Sequence, residues 1–297
     1  MIAVRRSLIS LTAALVLGFC VPLHAQTPAS QPSAAPPHVV FVTGDDEYRS
    51  EITMPMLARI LEEQYGMRTT VAYARPIPQT KDNIEGLEAL ESADLLVMFT
   101  RFRALPEGQL QRILAFVESG KPLIGLRTTT HAFLYPEGHP RRALNDGFGR
   151  DVFGQKWITH HGAQSRTAVA LAADQRAHQI LNGVEPFEAR SWLYHVTPLH
   201  EVDTVLLQGT SLNSNKAGRE AEYPLTQPVA WTRRYKGAPV FFTTLGHPAD
   251  FTHASMRRLV VNAVLWALGR PVPAAGAAVD VPGGYEAPET FDLSKVP

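Results

Sequence analysis

Two hydrophobic periods alternate between residues 38 and 126, and that alternation limits the possible folds more than any other feature. The stretch "HVVFVTG" (residues 38–44) is a continuous β-branched and aromatic run ending in glycine. Such a run is what a strand buried on both faces of a parallel sheet requires. From Pro55 to Tyr65 the period becomes helical: Met56, Leu57, Ile60 and Leu61 share one face, Pro55 suits a first turn and Gly66 follows as a cap. "RTTVAYA" (68–74), "ADLLVMFT" (93–100) and "PLIGL" (122–126) read as further strands. A second helix is expected over 106–119, with Leu110, Ile113, Leu114 and Val117 on one face and Gly120 as its stop. Strand, helix and strand in this order predict a doubly wound α/β sheet with helices on both faces.

The second half is less regular. Strands are expected at 166–171, 204–209, 229–234 and 240–244, then a helix over 253–268 whose face carries Met256, Leu259, Val260, Ala263, Val264 and Ala267. No internal repeat or second linker interrupts this, so residues 38–270 are read as one domain and 271–297 as an irregular tail that wraps the surface. Residues 1–25 have the form of a cleaved signal peptide: Arg5 and Arg6, an apolar run, then Ala25. Residues 26–37, with four prolines and no periodic apolar positions, read as a flexible linker. The expected location is therefore periplasmic or secreted, with no membrane anchor, because Cys20 follows the bulky Phe19.

Composition removes several function classes. Cys20 is the only cysteine and lies in the signal peptide, so the mature chain has no disulfide, thiolate metal site or cysteine nucleophile. Basic and acidic residues number 28 each. Loss of Arg5 and Arg6 leaves a slight acidic excess, so no global field favours nucleic acid or an anionic membrane. A homo-oligomer is compatible with this balance. Neither a phosphate-binding loop nor a glycine-rich dinucleotide fingerprint is present.

In open α/β sheets ligands bind outside the carboxyl ends of the strands, beside the point where strand order reverses. Four polar segments begin where apolar strands stop: "GDDEYRSE" (44–51), "RFR" (101–103), "RTTTH" (127–131) and "TTLGHPADF" (243–251). In the first, Asp45 and Glu47 can accept protons or sugar-hydroxyl hydrogen bonds, while Tyr48 and Arg49 offer donors and flat surfaces. The bland reading is an acidic cluster favouring the N-terminus of the next helix. Arg101 and Arg127 are candidate clamps for vicinal hydroxyls or a carboxylate. Thr128 binds hydroxyls or satisfies the turn, and His131 could carry a proton near neutral pH or merely pack against Phe133. His247 and Asp250 join the substrate-binding candidates. His160 and His161 point to opposite faces of an extended segment, so only one enters a given site. His161 is assigned to proton transfer and His160 to substrate binding. With His131 and His247 these could hold zinc, although the spacing matches no compact zinc signature, so no cofactor is expected. The turn after "PLIGL" lacks the glycine-flanked nucleophile of a serine hydrolase.

These blocks, together with "GKPLIGLRTTTHAF", "HHG", "PVAWTRRY" and "RRLVVNAVLWALG", resemble the trehalose-utilisation (ThuA-like) family over about residues 38–270. The resemblance implies a flavodoxin-like sheet of the class I glutamine amidotransferase type and an association with carbohydrate metabolism, often beside oxidoreductases that make keto-sugars. Glutamine hydrolysis is not implied, because Arg127-Thr128-Thr129 occupies the nucleophile region. His247-Pro248 stands where relatives tend to carry smaller residues. The leading expectation is an acid/base enzyme (hydrolase, lyase or isomerase) acting on a glycoside or keto-glycoside, with Glu47 and His131 or His161 exchanging protons. The alternatives are a non-catalytic carbohydrate-binding or scaffold protein and a metal-dependent hydrolase.

Overall fold

A run without polar alternation has to be covered on both sides, and every residue of the first strand, β1 (His38–Gly44), is buried. The computed structural model describes residues 35–291 apart from 78–79 and 163. The expected signal peptide, most of the linker and the last six residues of the tail lie outside the described residues. The chain divides at Ala35, and the second unit, Pro36–Pro297, carries the fold.

After β1 come α1 (Ser50–Tyr65), β2 (Arg68–Ala74), β3 (Ile84–Glu85), β4 (Leu95–Thr100), α2 (Glu107–Glu118), β5 (Leu123–Leu126) and α3 (Leu144–Phe153). The second half holds β6 (Thr159–His160), β7 (Arg166–Leu171), β8 (Phe187–Ala189), β9 (Tyr194–His195), β10 (Val202–Leu212), β11 (Thr226–Tyr235), β12 (Ala238–Thr243) and α4 (Ala254–Ala267). Ten strands form one sheet in the order β3-β2-β1-β4-β5-β12-β11-β10-β7-β8. From β2 to β12 the pairings are parallel. This parallel core has the predicted doubly wound order, which reverses between β1 and β4. Antiparallel β11, β10, β7 and β8 extend it on one side.

Side chains alternate between the faces along each core strand. Val39, Phe41, Leu95, Val97 and Phe99 join α1 and α4 in one apolar cluster. Val40, Val42, Leu96 and Met98 join α2 and α3 in the other. Burial on both faces is the reason these strands read as unbroken apolar runs.

Two helices differ from expectation. α1 begins at Ser50, five residues before Pro55. Arg49 turns the chain with φ 56°, and the Ser50 hydroxyl accepts the Gly44 and Asp45 N–H groups at 3.1 and 3.0 Å. Loop closure therefore starts the helix, and Pro55 is tolerated inside it. α3 escapes the sequence pattern because "LNDGFGRDVF" has the composition of a turn. Its buried face holds Phe148, Val152 and Phe153 and also Gly149, where a Cβ would stand 2.1 Å from the Thr130 carbonyl oxygen. Only glycine allows α3 to lie against the segment that follows β5.

Candidate functional site

The loop after β1 turns its two aspartates inward. Asp45 is fully buried, accepts the Tyr48 N–H at 3.0 Å and accepts the Thr128 hydroxyl. Burial pushes its carboxyl up to about 6, against those two hydrogen bonds. Thr128 and Asp45 thus lock the loop after β1 to the turn after β5, and both are turned away from solvent. Asp46 is equally committed, to Arg103 and Lys81 at 2.7 Å each. Glu47 remains at the mouth, partly exposed and paired with Arg101 at 3.3 Å. Arg101 lies over the Phe102 ring. Arg49 turns elsewhere: it binds Glu51 at 2.6 Å, donates to the Glu289 carbonyl at 3.0 Å and covers the Phe291 ring.

Arg127 opens a 3-10 turn, Arg127–His131, directly at the end of β5. Its φ of 43° is a left-handed conformation for a residue bearing a side chain, a strain of roughly 1–3 kcal/mol that surrounding contacts must hold. Those contacts are visible. The guanidinium has its carbon over the rings of Tyr48 (4.1 Å) and Tyr194 (4.7 Å). It donates to the Tyr48 hydroxyl and the Thr244 carbonyl, both at 3.0 Å. Burial opposes its charge, yet Tyr194, Tyr48 and Asp250 hold its pKa above the usual value.

The histidines separate cleanly. His161 is 1% exposed, with Nδ1 2.6 Å from the Ser214 hydroxyl and Nε2 3.2 Å from the Pro224 carbonyl. Both nitrogens are engaged by the protein, so His161 is not free for the proton transfer expected of it. His160 stacks between Trp157 (5.7 Å) and Trp192 (5.3 Å), and burial lowers its pKa to about 4, helped by Arg127. His131 is nearly buried among Phe102, Trp157 and Tyr194. Its Nδ1 lies 3.3 Å from the Thr130 hydroxyl. Burial first, then Arg101 and Arg127, hold it well below the usual histidine range.

After β12, Asp250 accepts hydrogen bonds from the N–H groups of Arg190, Ser191, Gly246 and His247 and from the Ser191 hydroxyl. Its oxygens are filled by the protein, so it braces the loop from below. His247 caps the turn Pro248–Thr252 by accepting the Ala249 N–H at Nδ1, 3.1 Å away. That bond fixes the neutral tautomer with its proton on Nε2. Burial lowers His247 to about 4, with Asp250 opposing the shift, so it is neutral near pH 7.

Glu47, Tyr48, Arg127 and His247 line one cavity of about 110 Å³ with Arg190, Trp192 and Thr290. A larger hollow of about 470 Å³ lies along α2, near Leu90, Arg112 and Phe116, away from the strand ends that carry the candidates. Sequence reasoning missed Arg190 and Thr290. Arg190 follows the edge strand β8, where no strand was expected. Thr290 belongs to the tail, whose Phe291 N–H donates to the Glu47 carbonyl at 3.1 Å and whose Tyr285 hydroxyl donates to the Pro248 carbonyl at 3.0 Å. Among the described residues no group of three or more His, Cys, Asp or Glu is placed to hold a metal ion. No helix among them is long and apolar enough to cross a membrane.

Residues 38–267 match the family model described as trehalose utilisation (ThuA). Solved structures of similar fold include a ThuA-like protein from Parabacteroides merdae ATCC 43184, at 17% identity and TM-score 0.55, covering 79% of this chain and 91% of that one. Another is a ThuA-like protein from Bacteroides uniformis ATCC 8492, at 16% identity and TM-score 0.54, covering 82% and 95%. At such identities the likeness is one of fold. No curated protein matches the chain.

Proposed function

The chain belongs to the trehalose-utilisation (ThuA) family, and on that premise we propose an exported enzyme that processes a glycoside or keto-glycoside by acid/base chemistry. The observation that carries this reading is that a carboxylate, a neutral imidazole with an N–H donor and a buried guanidinium line the same cavity: Glu47, His247 and Arg127. A carbonyl on the sugar acidifies the adjacent C–H. Glu47 takes that proton, and the electron pair left behind flows onto the carbonyl oxygen, giving an enediolate beside Arg127. Re-formation of the carbonyl then either returns the proton from Glu47 to the neighbouring carbon or expels the glycosidic oxygen, which takes the proton from Glu47 while His247 Nε2–H hydrogen-bonds to it. Trp192 supplies an apolar face for the sugar ring. His247 takes the role expected of His131 or His161: His131 is buried among Phe102, Trp157 and Tyr194, and the nitrogens of His161 are engaged by Ser214 and Pro224.

The test is proton NMR of the protein with glucosides, disaccharides and their 3-keto derivatives in D2O. Exchange of the C–H beside the carbonyl, or a new product, is expected. Glu47→Gln should lower the rate by about 10²- to 10⁴-fold with folding unchanged. Line-broadening without exchange or product would favour the binding-protein reading. Export is tested by the N-terminal sequence of the protein recovered from its native host, expected to begin near Gln26.

A further inference from the structure

The charges around the cavity do not balance. Arg127 is 1% exposed, yet it takes part in none of the site's ion pairs, where Glu47 goes to Arg101, Glu51 to Arg49 and Asp46 to Arg103 and Lys81. Its Nη groups donate to two neutral oxygens, those of Tyr48 and Thr244. The guanidinium carbon lies over the rings of Tyr48 and Tyr194, and Nε has no partner. What remains is an in-plane donor with no acceptor. Asp250 is near enough to act through space on Arg127, but its oxygens already accept the bonds of the Gly246–His247 and Arg190–Ser191 backbone.

A second guanidinium joins the wall from the rim. Arg190 is exposed, lines the cavity and has no ion pair among the described residues. The third donor is His247 Nε2–H, fixed by the bond at Nδ1. Opposing these stands one wall carboxylate, Glu47, already bound to Arg101. Buried unpaired cations are strongly disfavoured unless an anion completes them, and guanidinium is shaped to meet a carboxylate.

We infer that this cavity takes an anionic sugar, a uronate or aldonate, whose carboxylate sits between Arg127 and Arg190 with its ring against Trp192. The volume of about 110 Å³, far below the roughly 300–1,000 Å³ of drug-sized sites, limits the enclosed part to one end of a ligand. A carboxylated terminal unit fits that limit, and a whole disaccharide does not. The inference rests on the carbohydrate reading for the sugar, while the anion preference stands on the charges alone.

The experiment is calorimetric titration of the purified protein with D-glucuronate, D-gluconate, D-glucose and methyl glucoside at low and high ionic strength, alongside NMR of the histidine ring signals. The acids should bind at least about tenfold more tightly than the neutral sugars, lose that advantage in salt and raise the pKa of His247. Arg190→Gln, at an exposed position, should abolish the preference without unfolding the protein, and Arg127→Lys should weaken both acids. Equal affinity for acids and neutral sugars, no binding of either acid, or indifference to Arg190→Gln would overturn the inference. Should neutral keto-glycosides turn over while acids neither bind nor inhibit, the enzyme reading survives and the anion preference falls. Acid binding that shifts the His247 signal, with no sugar turned over, upholds the anion preference and removes the enzyme reading.

Discussion

His131, His160 and His247 are kept neutral by burial, with Arg127 adding to the effect at each. Their folded pKa values lie below the unfolded one near 6.5, so the stability they contribute is present above that pH and lost as pH falls toward 4. Each contributes up to about 1.4 kcal/mol per pH unit in that window. Asp45 works in the opposite sense: its folded value of about 6 exceeds the unfolded one, so its contribution is present below about pH 4 and lost as pH rises through 6. Urea midpoints should fall from pH 6.5 to 4.5. His160→Gln should make that fall shallower, and Asp45→Asn should make it steeper. A flat profile in the unmodified protein would show that these rings are solvated. The residue types of the site were legible because strands surface there. That His161 is closed off was not, because its nitrogens are engaged by Ser214 and Pro224, distant in the chain.

The turn Arg127–His131 is held from one side by β5 and from the other by α3, at the Gly149–Thr130 contact. Gly149→Ala inserts a methyl group where a backbone oxygen stands, and overpacking of this kind costs about 1–3 kcal/mol. Because the displaced segment carries Arg127, the variant should lose ligand affinity as well as melting temperature. A melting loss with unchanged affinity would uncouple α3 from the site. Core strands and the amphipathic α2 and α4 were legible from periodicity, since each buries a face that its own sequence defines. α3 was not, because Asn145, Asp146, Gly147 and Gly149 give its sequence the composition of a turn. The start of α1 was displaced because Ser50 and Arg49 serve the loop closure, and Pro55 is accommodated.

Across the whole molecule, the tail after α4 binds Arg257, Arg258 and Asn262 through its backbone. It then continues to Pro248 through Tyr285 and to Glu47 through Phe291. Ending the chain after Gly284 removes Thr290 from the cavity and the bonds of Tyr285, Glu289 and Phe291, while keeping buried Ala277 and Val279. At about 1 kcal/mol for each hydrogen bond, the stability loss should be only a few kcal/mol, with the far-UV circular dichroism spectrum retained. Ligand affinity should fall several-fold, and an unchanged affinity would remove the tail from the site. The sequence by itself determined the alternating α/β architecture and the strand ends where chemistry concentrates, because burial on two faces and polar strand exits are written in local patterns. Only the tertiary structure decided that Asp45, Asp46 and Asp250 face inward while Glu47 faces the cavity. It alone decided that Ser214 and Pro224 occupy the nitrogens of His161, and that Arg190 and Thr290 complete the wall. Those choices depend on partners distant in the chain, and no local period records them.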